Sequence, residues 1–144
     1  MQEIQVVKLK MVKEQVSLPI EKISFPQDVA EILKWYIGDS DRENMVVISL
    51  DARLQITCIH TASIGTVSET VVHPREIFKV AILTNASSII IGHNHPAGSL
   101  MPSNADIEAT KRIAEAGKVL GISLLDHIIV TDSDYISLKE KGYL

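Results

Sequence analysis

The run Ser87-Ser88-Ile89-Ile90-Ile91 passes through Gly92 straight into His93-Asn94-His95-Pro96. An extended chain shows alternate residues to opposite faces, and this one is apolar on both. It therefore reads as a strand covered on each side, deep in the fold. Pro96, Gly98 and Pro102 then stop regular structure. Two imidazoles at the end of a buried strand thus stand on a rigid platform, followed by a turn that brings the chain round.

The remaining pattern supplies the layers. Val29, Ile32, Leu33 and Tyr36 fall at helical spacing, giving a helix over 27–37 that Gly38 ends. Met45–Leu50 is a short β-rich run, Asp51-Ala52-Arg53 a turn, and Leu54–Ala62 its partner strand, broken at Gly65-Thr66. Pro74 opens a helix with Ile77, Phe78, Ala81 and Ile82 on its apolar face. A third helix covers 104–119, closed by Gly121 or Gly117. Strands follow at Ile122–Val130 and Tyr135–Leu138. Residues 3–13 alternate loosely and suggest an edge strand, pairing within the chain or with a second copy, so a dimer stays open. Pro19 and Pro26 bracket a connector. The expectation is one α+β (mixed α/β) domain with a mixed central sheet flanked by helices.

Length and charge narrow the function classes. A chain of 144 residues suits one domain. Its net charge of −4 offers no general attraction to nucleic acid. No apolar run approaches a membrane span, and the N-terminus does not read as a signal peptide. The single cysteine, Cys58, cannot make an internal disulfide and fits a reducing compartment, so a cytoplasmic protein is expected.

His93 and His95, at i and i+2, face one way, and Asp106 in the first turn of the next helix can return to the same place. Two imidazoles and a carboxylate suit a divalent ion of borderline hardness, most often one zinc ion. Three protein ligands leave a position for water, the arrangement of a catalytic rather than a structural site. Ser103, three residues before Asp106, is placed to donate to an oxyanion. A base is also needed. Glu43, before the Met45–Leu50 strand, and Glu76, after Pro74, are both candidates by spacing.

The composite pattern resembles the JAMM signature: a distant Glu, then His93-Asn94-His95-Pro96, then Ser103-Asn104-Ala105-Asp106. Val72-His73-Pro74-Arg75-Glu76 and Leu125-Asp126-His127-Ile128-Ile129-Val130 are similar to segments of its RadC branch. The likeness runs from about Asp28 to Leu144, which divides the chain into a connector with a strand, 1–27, and an MPN (JAB-type) domain, 28–144. It implies a zinc metallohydrolase that cuts peptide or isopeptide bonds in a peptide or protein substrate. It also implies His93, His95 and Asp106 as metal ligands, Ser103 as the oxyanion-side donor and Glu43 as the base. Longer RadC proteins carry an N-terminal helix-hairpin-helix segment, whereas residues 1–27 read as a strand with lysines.

Some of these residues also have plainer roles open to them. Ser-x-x-Asp before a periodic helix is also a capping box. Glu76 reads equally as a helix N-terminal acid. Asp126-His127 is either a partner that orients a ligand imidazole or a polar couple in a buried strand. His60 and His73 read as surface or turn residues, Cys58 as core filler, and Trp35 with Tyr36 as a helix face against the sheet. At the level of function, the alternatives to a hydrolase are a non-catalytic MPN interaction module and a DNA-repair-associated RadC-family factor.

Overall fold

The computed structural model describes residues 1–20, 22–65 and 72–144. Thr66, one half of the expected strand break, lies outside them. Three helices and five strands follow in the order α1 (Pro26–Ile37), β1 (Asn44–Leu50), β2 (Ile56–Ile64), α2 (Pro74–Leu83), β3 (Ser88–Asn94), α3 (Asn104–Leu120), β4 (Ser123–Val130) and β5 (Tyr135–Ser137). The strands form one mixed sheet in the order β2-β1-β3-β4-β5. β1 pairs antiparallel with both β2 and β3, and β3 pairs parallel with β4 across the α3 crossover.

Both faces of the sheet are covered, as the apolar β3 run requires. α1 lays Val29, Ile32 and Leu33 on one face, against Val46, Ile48, Ile90 and Ile128. Ile77, Phe78 and Ala81 of α2 and Ile113 of α3 cover the other, against Met45, Val47, Ile89 and Ile91. Burying a residue of this size fully contributes about 1.5–3 kcal/mol. Gly92 makes room for this packing, since a methyl there would stand 2.3 Å from Leu33 Cδ1 and would force that side chain to shift. Each helix starts where the local chemistry dictates. Pro26 and Pro74 open α1 and α2, and Asp28 accepts from the backbone N–H groups of Ser24 and Phe25 at 2.8 and 2.9 Å.

Several expectations need correction. Residues 3–13 form no strand, and Ile4, Val6 and Leu9 are 77%, 87% and 79% exposed. A strand needs a neighbour to take its N–H and C=O groups, and the segment pairs with no strand among the described residues. The nearest bridge described joins Lys22 to Gln55. β2 begins at Ile56 rather than Leu54, because Asp51 holds the turn open two residues longer. Its Oδ1 accepts from the N–H of Arg53 and Gln55 at 2.8 and 3.0 Å, with Leu54 at φ 63°. Ile82 is 50% exposed and Trp35 44%, so neither belongs to a buried face. His60 lies half-buried on β2, where burial holds its imidazole below the usual range. Gly121, left-handed at φ 73°, ends α3, while Gly117 is the point of close approach to Ile122.

Candidate metal centre

β3 delivers His93 at its end, fully buried on the face shared with α3. His95 lies two residues on, tied down by its N–H to the Val130 carbonyl at 2.9 Å. α3 returns Asp106 to the same point in its first turn, where the helix dipole favours a carboxylate. His93, His95 and Asp106 each offer an atom within 4.8 Å of the others, a group that can hold a metal ion.

The donor set favours a cation. His95 Nδ1 lies 2.6 Å from the Ser99 carbonyl oxygen, which only accepts, so Nδ1 carries the hydrogen and a neutral His95 presents a bare Nε2. That atom is 2.9 Å from His93 Nε2. His93 Nε2 lies 3.3 Å from Asp106 Oδ1, and His95 Nε2 lies 3.3 Å from Asp106 Oδ2. Three electron-rich groups this close, nearly dry, need positive charge among them, a proton or a metal. Donors about 2.0–2.1 Å from a tetrahedral ion stand roughly 3.3 Å apart, the separation of both His–Asp pairs. The same crowding shifts the ionisations. Burial alone would raise the Asp106 carboxyl, but its close contacts with His93 and His95 and the hydrogen bond from the Ser103 N–H outweigh it, holding it far below the usual carboxylate range. His95 is raised, chiefly by its hydrogen bond to Asp106.

The capping box and the His-His-Asp group coexist. Ser103 Oγ accepts from Asp106 N–H at 3.0 Å, and Asp106 Oδ2 accepts from Ser103 N–H at 2.8 Å. The cap uses a lone pair of the hydroxyl, so the Ser103 proton is left to point elsewhere. Ser103, Glu43, His95 and Asp106 line one open cavity of about 690 Å³, together with Pro96, Ser99 and Met101. Glu76 is not in it. Glu76 pairs with Lys79 at 3.3 Å on the surface of α2, as a helix N-terminal acid.

Two features went unread in the sequence. Asn94 bonds the segment around Glu43 on both sides. Its Oδ1 accepts from Asn44 N–H at 2.7 Å, and its Nδ2 donates to the Arg42 carbonyl at 2.9 Å. Thr110, one helical turn after Asp106, faces the same buried space. The Asp126-His127 couple resolves into two separate roles. His127 Nε2 lies 2.7 Å from His93 Nδ1. Asp126 points to the opposite face, where it accepts from Ser137 Oγ at 2.6 Å and from the His127 N–H at 2.7 Å.

Fold and site together define a JAB-type domain carrying a His-His-Asp group able to bind a metal. The profile of the RadC-like JAB domain family matches residues 23–143, and the chain belongs to that family. It is 48% identical over 121 residues to a UPF0758 protein of Caldanaerobacter subterraneus, covering 84% of this chain and 52% of that one. It is 49% identical over 118 residues to a UPF0758 protein of Finegoldia magna, covering 82% and 53%. With one from Methanosarcina mazei it shares 41% over 126 residues, covering 88% and 55%. The chain spans about half the length of the curated relatives it matches. Among the described residues, no helix is long and apolar enough to cross a membrane.

Proposed function

We propose that this chain is a zinc-dependent hydrolase of the JAMM type, acting in the cytoplasm on a peptide or isopeptide bond of a protein or peptide substrate. The observation that carries this is the convergence of His93, His95 and Asp106 at the end of β3, with His95 and Asp106 lining a cavity that Glu43 and Ser103 also line. His93, His95 and Asp106 would hold the ion. Zinc, when bound to three protein ligands, supplies Lewis acidity that polarises a carbonyl and brings the pKa of water to about 7.

The chain's own residues supply the rest. Glu43 takes the proton of the attacking water and passes it to the leaving amine, a role worth about 10²–10⁴ in rate. Ser103 donates its free hydroxyl proton to the oxygen that gains negative charge at the substrate carbonyl. Asp106, ionised far into the acid range, keeps a full charge on the ligand set. A scaffold would have no use for this complete set, and two histidines with one acid do not make the acid cluster of a two-metal nuclease. The test is elemental analysis of the purified protein, then a screen of peptide and isopeptide substrates for wild type against Glu43→Gln. Zinc in both with turnover only in wild type is the expected result. A folded wild type that takes up no zinc overturns it.

A further inference from the structure

Behind the His-His-Asp group lies a chain of hydrogen bonds whose direction is fixed at its far end. Thr110 Oγ1 lies 2.7 Å from the Asp106 carbonyl oxygen, which only accepts. A hydroxyl has one proton, and Thr110 gives it there. At its other contact, 2.6 Å from His127 Nδ1, Thr110 must accept, so Nδ1 carries the hydrogen. His127 is fully buried, and its ring nitrogens meet Thr110 and His93, neither of them an acid. An unpaired imidazolium there is costly, so the ring carries one hydrogen and its Nε2 is bare. That bare Nε2 lies 2.7 Å from His93 Nδ1, which therefore donates. The remaining nitrogen of His93, Nε2, keeps its lone pair and faces His95 and Asp106.

We propose that Thr110 and His127 are positioning residues that set the tautomer of His93, so that its Nε2 lone pair is always presented to the cation. The proposal rests on His93 being a metal ligand. It concerns the placement of hydrogens among neutral rings, with none gained or lost. Without the Thr110 hydroxyl, His127 has no partner to hold its hydrogen on Nδ1. Either tautomer then becomes accessible, and the wrong one places a hydrogen on His93 Nε2. Outer partners of this kind are worth about 10–100-fold in metal affinity.

Zinc affinity is measured by competition with a chelator for wild type, Thr110→Val and Thr110→Ser. The expected loss is about 10–100-fold for Thr110→Val, with Thr110→Ser close to wild type. Equal affinity in all three, or an equal loss in both variants, overturns the proposal. The second measurement needs neither zinc nor a variant. Nitrogen-15 side-chain spectra of the metal-free wild type are expected to show His93 and His127 both protonated at Nδ1 with bare Nε2. Hydrogen on His93 Nε2 overturns it. Should Thr110→Val fail to fold, these spectra decide alone. A wild type that shows the expected tautomers yet binds no zinc contradicts the functional reading and leaves the relay standing.

Discussion

Asn94 ties down the backbone on either side of Glu43. The Asn94 carboxamide accepts from the N–H of Asn44 at 2.7 Å and donates to the carbonyl of Arg42 at 2.9 Å, the two residues that flank Glu43. The Gly65 N–H donates to the Glu43 carbonyl at 2.8 Å, fixing the backbone from a third direction. Because Asn94 lies between His93 and His95, the proposed base and the candidate ligands are positioned from one strand end.

Removing this clamp separates chemistry from metal binding. Asn94→Ala frees the Arg42–Asn44 segment while leaving the three ligand side chains intact. A misplacement of about 1 Å costs up to roughly 10²-fold in rate. Steady-state kinetics on the substrate found in the screen is expected to show kcat reduced by roughly 10–10²-fold, with zinc content unchanged. Loss of zinc with the same substitution would contradict the assignment.

Glu43→Gln keeps the shape of the proposed base and removes its proton affinity. Turnover should fall by about 10²–10⁴-fold, again with zinc retained. Single-turnover assays and elemental analysis on the same preparation check both halves.

Ser103 caps α3 and, in the proposed reaction, also serves as a donor. Ser103→Ala removes the N-cap of α3, costing about 1 kcal/mol of stability. It also removes the donor on the oxyanion side, costing about 10²–10³ in kcat. Ser103→Thr keeps a capping oxygen and a proton, and is expected to preserve most of each. Urea denaturation and kinetics on the two variants make the comparison.

The metal-free protein should carry a pH signature. His95 is raised above 6.5, first by its hydrogen bond to Asp106, so its contribution to stability is complete below pH 6.5 and is lost as pH rises through the folded value. Asp106 is lowered from 3.8, so its contribution is present above pH 3.8 and lost as pH falls toward the folded value. The pair therefore stabilises most between pH 3.8 and 6.5. In chelator, the stability gap between wild type and His95→Gln is expected to narrow from about pH 5.5 to about pH 8. Urea midpoints at the two values measure it, and a gap that widens instead would contradict the pairing.

Packing gives a prediction independent of catalysis. A methyl on Gly117 would meet the Ile122 carbonyl oxygen at 2.4 Å, which is backbone and cannot step aside. The ordinary gain of about 1 kcal/mol for Gly to Ala in a helix is therefore overridden. Gly117→Ala should destabilise by about 1–3 kcal/mol, read from thermal or urea denaturation.

Much of this molecule was legible because its signals are local. Pro74 marks the start of α2, and the apolar run before His93 marks a doubly covered strand. The spacing of His93, His95 and Asp106 places three donors together once the turn after Pro96 is granted. The strand expected over 3–13 failed because alternation says what a segment prefers, not whether a neighbour exists to pair with it. Asn94 and Thr110 escaped for a related reason. Their partners lie on other elements, Asn94 to Arg42 and Asn44 across 52 and 50 residues, and Thr110 to His127 across 17. Thr110 does carry a local hint, four residues after Asp106 on the same helix face.

The most direct test is zinc stoichiometry on folded, zinc-equilibrated and desalted wild type, His93→Ala and Asp106→Ala, with circular dichroism to confirm folding. The expected result is about one zinc per wild-type chain and none in either variant. Folded wild type without zinc, or folded Asp106→Ala that retains the full complement, would show that these three side chains do not hold the ion.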